Sequence, residues 1–472
     1  MNILNFKDSD CTINTISETT NIITGRGGLP FILRYIENIK FHKLIKDHVS
    51  KFSKSSKGVK PDCMLRQILA FFIDGTYKAI SGFDSLKQDA GYAAALEIKQ
   101  DSLVSSHSVK RFFKKFTFPK SAVFRMILNQ LFIWRLKVEK PDSIVVDMDT
   151  MVLNNDDALT RHGVSPTYKN VKGFQPLQLT WNNMVIDAMF RRGSAHSNHG
   201  NDVIESMTRI VNLIRNNYSK DVPIILTCDS GFLDENNLHY FHTVLNILFV
   251  CNGKMYNSVK DYAGSVPDDA FAQFKSDTCT WNYLEFGSRL KSWNSIGFLR
   301  TIYTHLVCDE DGQYLLDFAR PDSVLYTNIG VHKECSQALK DTTMASLVEC
   351  EGIISLAHGR GKSELTNRSL KEFMVTEKLP FKRFGMNSAY YYLMLIGHFL
   401  MSSYNRDIVE SEIIPINKSS RPQTIRRCLI DFAAQIVSTG NTIRLQVMKG
   451  VQKAMNLIRL WEYCCNPSIP HI

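Results

Sequence analysis

Nowhere in the 472 residues is there a CxxC pair, an HExxH-type histidine pairing, an internal repeat or a low-complexity tract. The 11 cysteines are scattered along the chain and end in the adjacent Cys464 and Cys465. An odd count without ligand spacing argues against a disulfide framework or a zinc site and predicts reduced thiols in a cytosolic protein. The N-terminal MNILNFKDSD has no basic stretch leading into an apolar one, so no secretory signal is expected. The longest apolar run, residues 389–401, contains Gly397 and His398 and falls short of the ~20 residues of a membrane span. These readings predict a soluble intracellular protein without a membrane partner. Charged residues make up only 22%, beside 44% hydrophobic and 11% aromatic, which excludes disordered, collagen-like and coiled-coil architectures.

What charge there is leans positive. The 56 Lys and Arg against 46 Asp and Glu leave +10, which favours a polyanionic partner, nucleic acid first. The length allows roughly three domains of ~150 residues, or one large domain carrying an insertion. Residues 1–140 have apolar spacing of helical period, as in CMLRQILAFFIDGTY at 63–77. The serines of SSHS at 105–108 supply caps for a helix that sets Lys110, Arg111, Lys114 and Lys115 beside Phe112, Phe113 and Phe116. That helix reads either as a solvated basic face or as a phosphate contact. Residues 141–252 change to short β-rich runs around one helix at 202–217, an α/β sheet. Residues 253–348 are rich in aromatic strands, with a hairpin turn expected at Asp311-Gly312 between YTHLVC and YLLDF, and form a β-rich insertion. Helical pattern resumes from Ser363 to Tyr404, within a second part of the core at 349–415, and a last helical segment from Pro422 to the end makes a C-terminal helical region, 416–472.

Three motifs carry acids. SIVVDMDT at 143–150 is an apolar strand whose alternation puts Asp147 and Asp149 on one face near its C-terminal end. Two such acids can be neutralised by a hard divalent cation, or can be solvated where a strand runs out. VPIILTCDSGF at 222–232 is a second apolar strand delivering Asp229 to a Ser-Gly turn, as a metal ligand or as a cap. In Arg360-x3-Glu364-x6-Lys371 the three groups fall within about 40° on a helix, sharing one face. An ordinary i, i+4 charge pair explains the first two equally, and Gly359 and Gly361 weaken helical geometry at Arg360.

Asp-Thr after a first strand, Asp-Ser-Gly-Phe after a later one and R-x3-E-x6-K on a following helix resemble the DDE transposases of bacterial insertion sequences, within them the group-1 branch called the thirteen-eighty insertion-sequence family. RRGSAHSNHG at 191–200 is similar to the family's strand-to-helix segment, LPFKRFGMNSAYYYLMLIGHFL to the helices after its glutamate, and TIRRCLIDFAAQIV to its C-terminal helix. SSHSVKRF is similar to its N-terminal segment, so the likeness runs from about residue 60 to 450. The resemblance implies an RNase H-like catalytic core with the β-rich insertion between its second and third acids. It implies Asp149, Asp229 and Glu364 as catalytic acids and metal ligands, with Asp147 as the competing choice for the first. Arg360 and Lys371 would contact DNA phosphates, although Ala357 stands where the family pattern has tyrosine. Two Mg²⁺ ions, replaceable by Mn²⁺, would serve cleavage and strand transfer without a protein nucleophile.

The partners implied are duplex DNA at terminal inverted repeats and target sites, and a second copy of the chain, in a bacterial cytoplasm with nucleoid association. Lys110 and Arg111 are expected on DNA, with Lys382, Arg383, Arg421, Arg426 and Arg427 as a possible basic track. Trp293 and Trp281 are candidates to stack on an extruded base, weighed against core packing. His196, His199 and His358 read as hydrogen-bonding residues more than as ligands, since oxygen donors suit Mg²⁺. Two other readings exist. A haloacid-dehalogenase-like phosphatase would use Asp-x-Asp-x-Thr, but Thr150 follows Asp149 directly and the register fails. A transposase-derived DNA-binding protein without cleavage would keep end recognition alone.

Overall fold

The computed structural model describes residues 15–52, 58–276, 279–290, 292–309, 311, 322–359, 361–440 and 442–472, the side chains of residues 51 and 361–364 excepted. Its centre is a nine-stranded sheet, whose strands are numbered here β1 (Ile144–Thr150), β2 (Leu177–Trp181), β3 (Met184–Met189), β4 (Ile224–Cys228), β5 (Leu248–Asn252), β6 (Ala272–Lys275), β7 (Thr280–Ser288), β8 (Leu299–Cys308) and β9 (Asp322–Thr327). Their order across the sheet is β6-β7-β8-β9-β5-β4-β1-β2-β3. β1, β4 and β5 run parallel, while β2 and β3 form an antiparallel pair on the other side of β1. Within it, the run β3-β2-β1-β4-β5 is the strand arrangement of an RNase H-like core, the α/β fold expected above.

Alternation in β1 buries Ile144, Val146 and Met148 completely and leaves Asp147 and Asp149 half-buried on the opposite face. All of Ile224 to Cys228 is buried, as an unbroken apolar strand covered on both faces must be. One face carries the long helices Phe118–Glu139 and Phe384–Glu410, the second buried nearly all round. A bidentate pair of Arg125 with Asp187, both contacts at 2.6 Å, ties the first of these helices to β3. Arg135 joins the two helices through Asp407 at 2.5 Å, and the Tyr35 hydroxyl donates to the same carboxylate. The other face carries a smaller cluster in which Ile225, Val250, Ile302 and Leu325 meet Ile353, Ile354 and Ala357 of the helix Cys350–His358.

The insertion extends this sheet, because β9 pairs antiparallel with β5 through Tyr326 and Cys251. The YLLDF strand and Gly312 lie outside the described residues, and β8 is followed in register by β9, with Arg300 opposite Thr327. The C-terminal region departs from the helical expectation. A helix does occupy Pro422–Leu429, but Ala434–Thr439 and Thr442–Val447 then form a hairpin that pairs with a short strand at Ile22–Thr24. The segment TIRRCLIDFAAQIV is therefore part helix and part strand. After the first strand of the hairpin, Gly440 stands at φ 58°, a left-handed conformation that glycine adopts without strain. Gly28 seals this contact between chain ends: its N–H donates to the Ile430 carbonyl at 3.1 Å, and a Cβ there would stand 1.7 Å from the Leu429 oxygen. No helix among the described residues is long and apolar enough to cross a membrane.

Candidate active site

β1 and β4 lie side by side, with Asp147 opposite Thr227 and Met148 opposite Cys228. The parallel ladder ends there, and the next residue on each side is an acid, Asp149 in β1 and Asp229 just after β4. Adjacent strands are ~4.8 Å apart, so two acids about 80 residues apart in the chain follow neighbouring backbone positions. Asp147 is turned to the sheet itself, where its Oδ1 accepts the Thr227 hydroxyl at 2.7 Å. Asp149 accepts the Thr150 N–H on Oδ1 at 2.7 Å and the Asn367 amide on Oδ2 at 2.7 Å. Asp229 caps the turn Ser230–Phe232, accepting the Gly231 N–H at 2.8 Å. A Cβ on Gly231 would come within 2.9 Å of the Ser197 hydroxyl and 3.0 Å of Asp229 Oδ1, so the loop 191–200 closes over this turn. His196 and His199 meet edge to face on that exposed loop, 5.5 Å between ring centres.

The helix Gly361–Met374 brings Asn367 to Asp149. It is seated from several sides: Leu370 and Phe373 are in the main core, Ser369 meets His398 at 2.9 Å, and Lys371 pairs with Glu377 at 2.9 Å. Glu377 in turn accepts the Asn154 N–H just beyond β1. Burial holds the His398 imidazole well below its ordinary pKa, at about 4, with nearby Arg426 adding to the effect. Glu364 lies on this helix one turn before Asn367, but its side chain, like all of Arg360, lies outside the described residues. Among the described residues, no three His, Cys, Asp or Glu side chains stand close enough to hold a metal ion.

Other expected site residues fall into two groups. Lys110 and Arg111 are exposed on the helix Ser106–Phe113, which Ser105 caps as anticipated and whose Phe113 packs on Phe381 and Tyr390. Lys382, Arg383 and Arg427 are also exposed. Arg426 is not part of any surface track: it is buried and donates to the carbonyls of Phe72, Ile73, Glu372 and Phe373. Arg421 pairs with Glu372 at 2.7 Å. Trp293 is only 8% exposed and packs in the core, so as placed it offers no face to a base. Trp281 is stacked between Phe274 and His358, with ring centres 5.8 and 4.8 Å away. Asn367 was not anticipated, although its place three residues after Glu364 on a helix is a signal that spacing could have supplied.

The family model for the transposase DDE domain, group 1, matches residues 13–463. The chain belongs to this group-1 DDE transposase family. No curated protein matches it. Among solved structures it is similar to the piggyBac transposase synaptic complex with hairpin DNA, at 13% identity and TM-score 0.42, over 86% of this chain and 80% of that one. Membership in the group-1 DDE transposases gives the strand-end acids a context. Of the expected site residues, Asp149 and the helix Gly361–Met374 meet through the Asn367 amide.

Proposed function

We propose that this transposase cleaves DNA at the ends of its element and joins those ends to a target, a cut-and-paste reaction with Asp149, Asp229 and Glu364 as its acids. The observation that supports the proposal is the β1–β4 register, which ends at Met148 opposite Cys228, the residues just before Asp149 and Asp229, while the helix that carries Glu364 meets Asp149 through Asn367. Asp149 is preferred to Asp147 as first acid because it stands directly before Thr150, as in the family pattern, and because Asn367 of the helix that carries Glu364 reaches it.

The donor set fits a hard divalent cation, since the candidate ligands are carboxylates and the nearby Cys251 thiol is turned to the Asp229 backbone carbonyl at 3.5 Å. Asp149, Asp229 and Glu364 would hold Mg²⁺ or Mn²⁺, which when bound offsets the negative charge of the phosphodiester and activates the attacking water or 3′-hydroxyl. The chain's own residues do the positioning. The Gly231 N–H fixes the Asp229 carboxylate, the Asn367 amide fixes that of Asp149, and both rest on strands that cannot shift independently. Lys110, Arg111 and Arg360 would contact phosphates of duplex DNA, and Lys371 would do so by exchanging its Glu377 partner for a phosphate, for which the net charge of +10 is suited. We read the working unit as a homodimer holding two transposon ends.

The test is a supercoiled plasmid carrying the element's terminal inverted repeats, incubated with Mg²⁺ or Mn²⁺. Wild type nicks it and Asp229→Ala does not, while both shift the DNA in a gel. Equal shifts with no nicking by either would instead establish a DNA-binding protein without cleavage.

A further inference from the structure

We infer that Asn367 is the positioning residue of the first acid: by donating to Asp149 it sets both the orientation of that carboxylate and the seating of the Glu364 helix against the end of β1. The inference rests on the functional reading above and goes beyond it in naming a residue outside the acid triad.

Three observations support it. Asn367 Nδ2 donates to Asp149 Oδ2 at 2.7 Å, while Oδ1 of the same carboxylate accepts its neighbouring backbone N–H at 2.7 Å. With each oxygen engaged from a different direction, rotation about the Asp149 side chain is arrested. Second, the amide is held by a rigid support, since Leu370 and Phe373 are buried at 0% and 1%, Ser369 meets His398, and Lys371 meets Glu377. A helix anchored on these sides delivers its amide to one place. Third, residue 364 precedes Asn367 by three positions, one turn and a rise of about 4.5 Å. The hydrogen bond that fixes Asn367 therefore also fixes how near that turn of the helix comes to the strand ends.

The choice of an amide is chemically specific. A lysine or arginine at 367 would also bind Asp149, but it would neutralise the carboxylate and compete with a cation for it. An aspartate would repel it. Asparagine donates a hydrogen bond and adds no charge, so Asp149 is oriented and keeps its full attraction for a divalent ion.

The experiment uses the full chain. Mn²⁺ binding to the DNA-free protein is measured by titration calorimetry, and plasmid nicking is followed across a Mg²⁺ series. The proteins are wild type, Asn367→Ala, the near-isosteric Asn367→Leu, Asn367→Gln and Asp149→Ala. Thermal melting in EDTA identifies which variants are folded. Loss of the donor in Asn367→Ala or Asn367→Leu is expected to weaken Mn²⁺ binding by about 10–100-fold and to raise the Mg²⁺ needed for half-maximal nicking by a similar factor. Asn367→Gln, which keeps an amide, recovers part of both. A folded Ala or Leu variant with wild-type Mn²⁺ affinity and wild-type Mg²⁺ dependence overturns the inference. If Asp149→Ala also binds and nicks as wild type, the assignment of the first acid falls with it; if Asp149→Ala alone loses both, only the role of Asn367 is lost.

Discussion

Replacing Asp229 by asparagine separates what this residue does for the fold from what it does for chemistry. In the fold it accepts one N–H, that of Gly231 at 2.8 Å, as the cap of a short turn. Asparagine keeps an oxygen acceptor of the same size at the same place, and the two residues cap equally well. Alanine removes the cap, a loss of about 1 kcal/mol. At about 2.1 cal/mol/K of unfolding entropy per residue, a chain of this length loses roughly 1 °C of melting temperature for each kcal/mol. Asp229→Ala should therefore melt about 1 °C lower and Asp229→Asn closer still to wild type. The chemical effect is of another size. Removing a charged group that the reaction depends on costs at least about 10³-fold in rate, or ~4 kcal/mol of barrier. Nicking of a plasmid with matched terminal repeats, measured beside thermal melting, should show two well-folded, inactive proteins. An Asp229→Asn protein that nicks within about tenfold of wild type would refute the assignment. Inactivity seen only together with a melting drop of many degrees would refute the separation of roles.

His398 makes stability fall in acid: its pKa is near 4 in the folded chain against an ordinary 6.5, so this contribution is whole above pH 6.5 and is lost as the pH drops, because only the unfolded chain takes up the proton. Between pH 7 and 5 the loss should be about 2 kcal/mol in urea unfolding, and His398→Gln should not show it. Arg426→Met should destabilise the chain by about 3–5 kcal/mol, since it strands four buried carbonyls, while exposed Arg427→Met should change stability by under about 0.5 kcal/mol. The Lys110→Ala, Arg111→Ala double variant should flatten the dependence of log affinity on log salt by about 2 in DNA binding, and an unchanged slope would mark the helix Ser106–Phe113 as a solvated face.

The strands that matter most were legible because each is an apolar run broken by an acid, a pattern that marks both a sheet interior and its exit. Their adjacency was not, since parallel pairing of β1 with β4 depends on contacts across about 80 residues. The hairpin after Leu429 escaped because AQIV and TIRLQV are short, follow a true helix directly, and alternate too weakly to outweigh it. Arg426 and Arg427 show another limit. They are adjacent and identical in type, yet one is enclosed by four carbonyls and the other is in solvent, a difference made entirely by what packs over them. Trp293 likewise could be a base platform or a core residue until its neighbours were known.

The insertion bears on the site through the sheet. Because β9 is hydrogen-bonded to β5, and β5 to β4, the inserted strands share one rigid surface with the strand that carries Asp229. On that surface Trp281 of β7 stacks on His358, the last residue of the helix Cys350–His358. This helix packs in the cluster on one face of the sheet, whereas Leu370 and Phe373 of the next helix belong to the core on the other. The two successive helices therefore pack in different clusters, with Ala357 in one and Leu370 in the other. The first helix is held at His358 by an aromatic ring of the insertion, and the second at Asn367 by the hydrogen bond to Asp149. The insertion can thus bear on the helix Gly361–Met374 at a distance, by fixing where the helix before it ends.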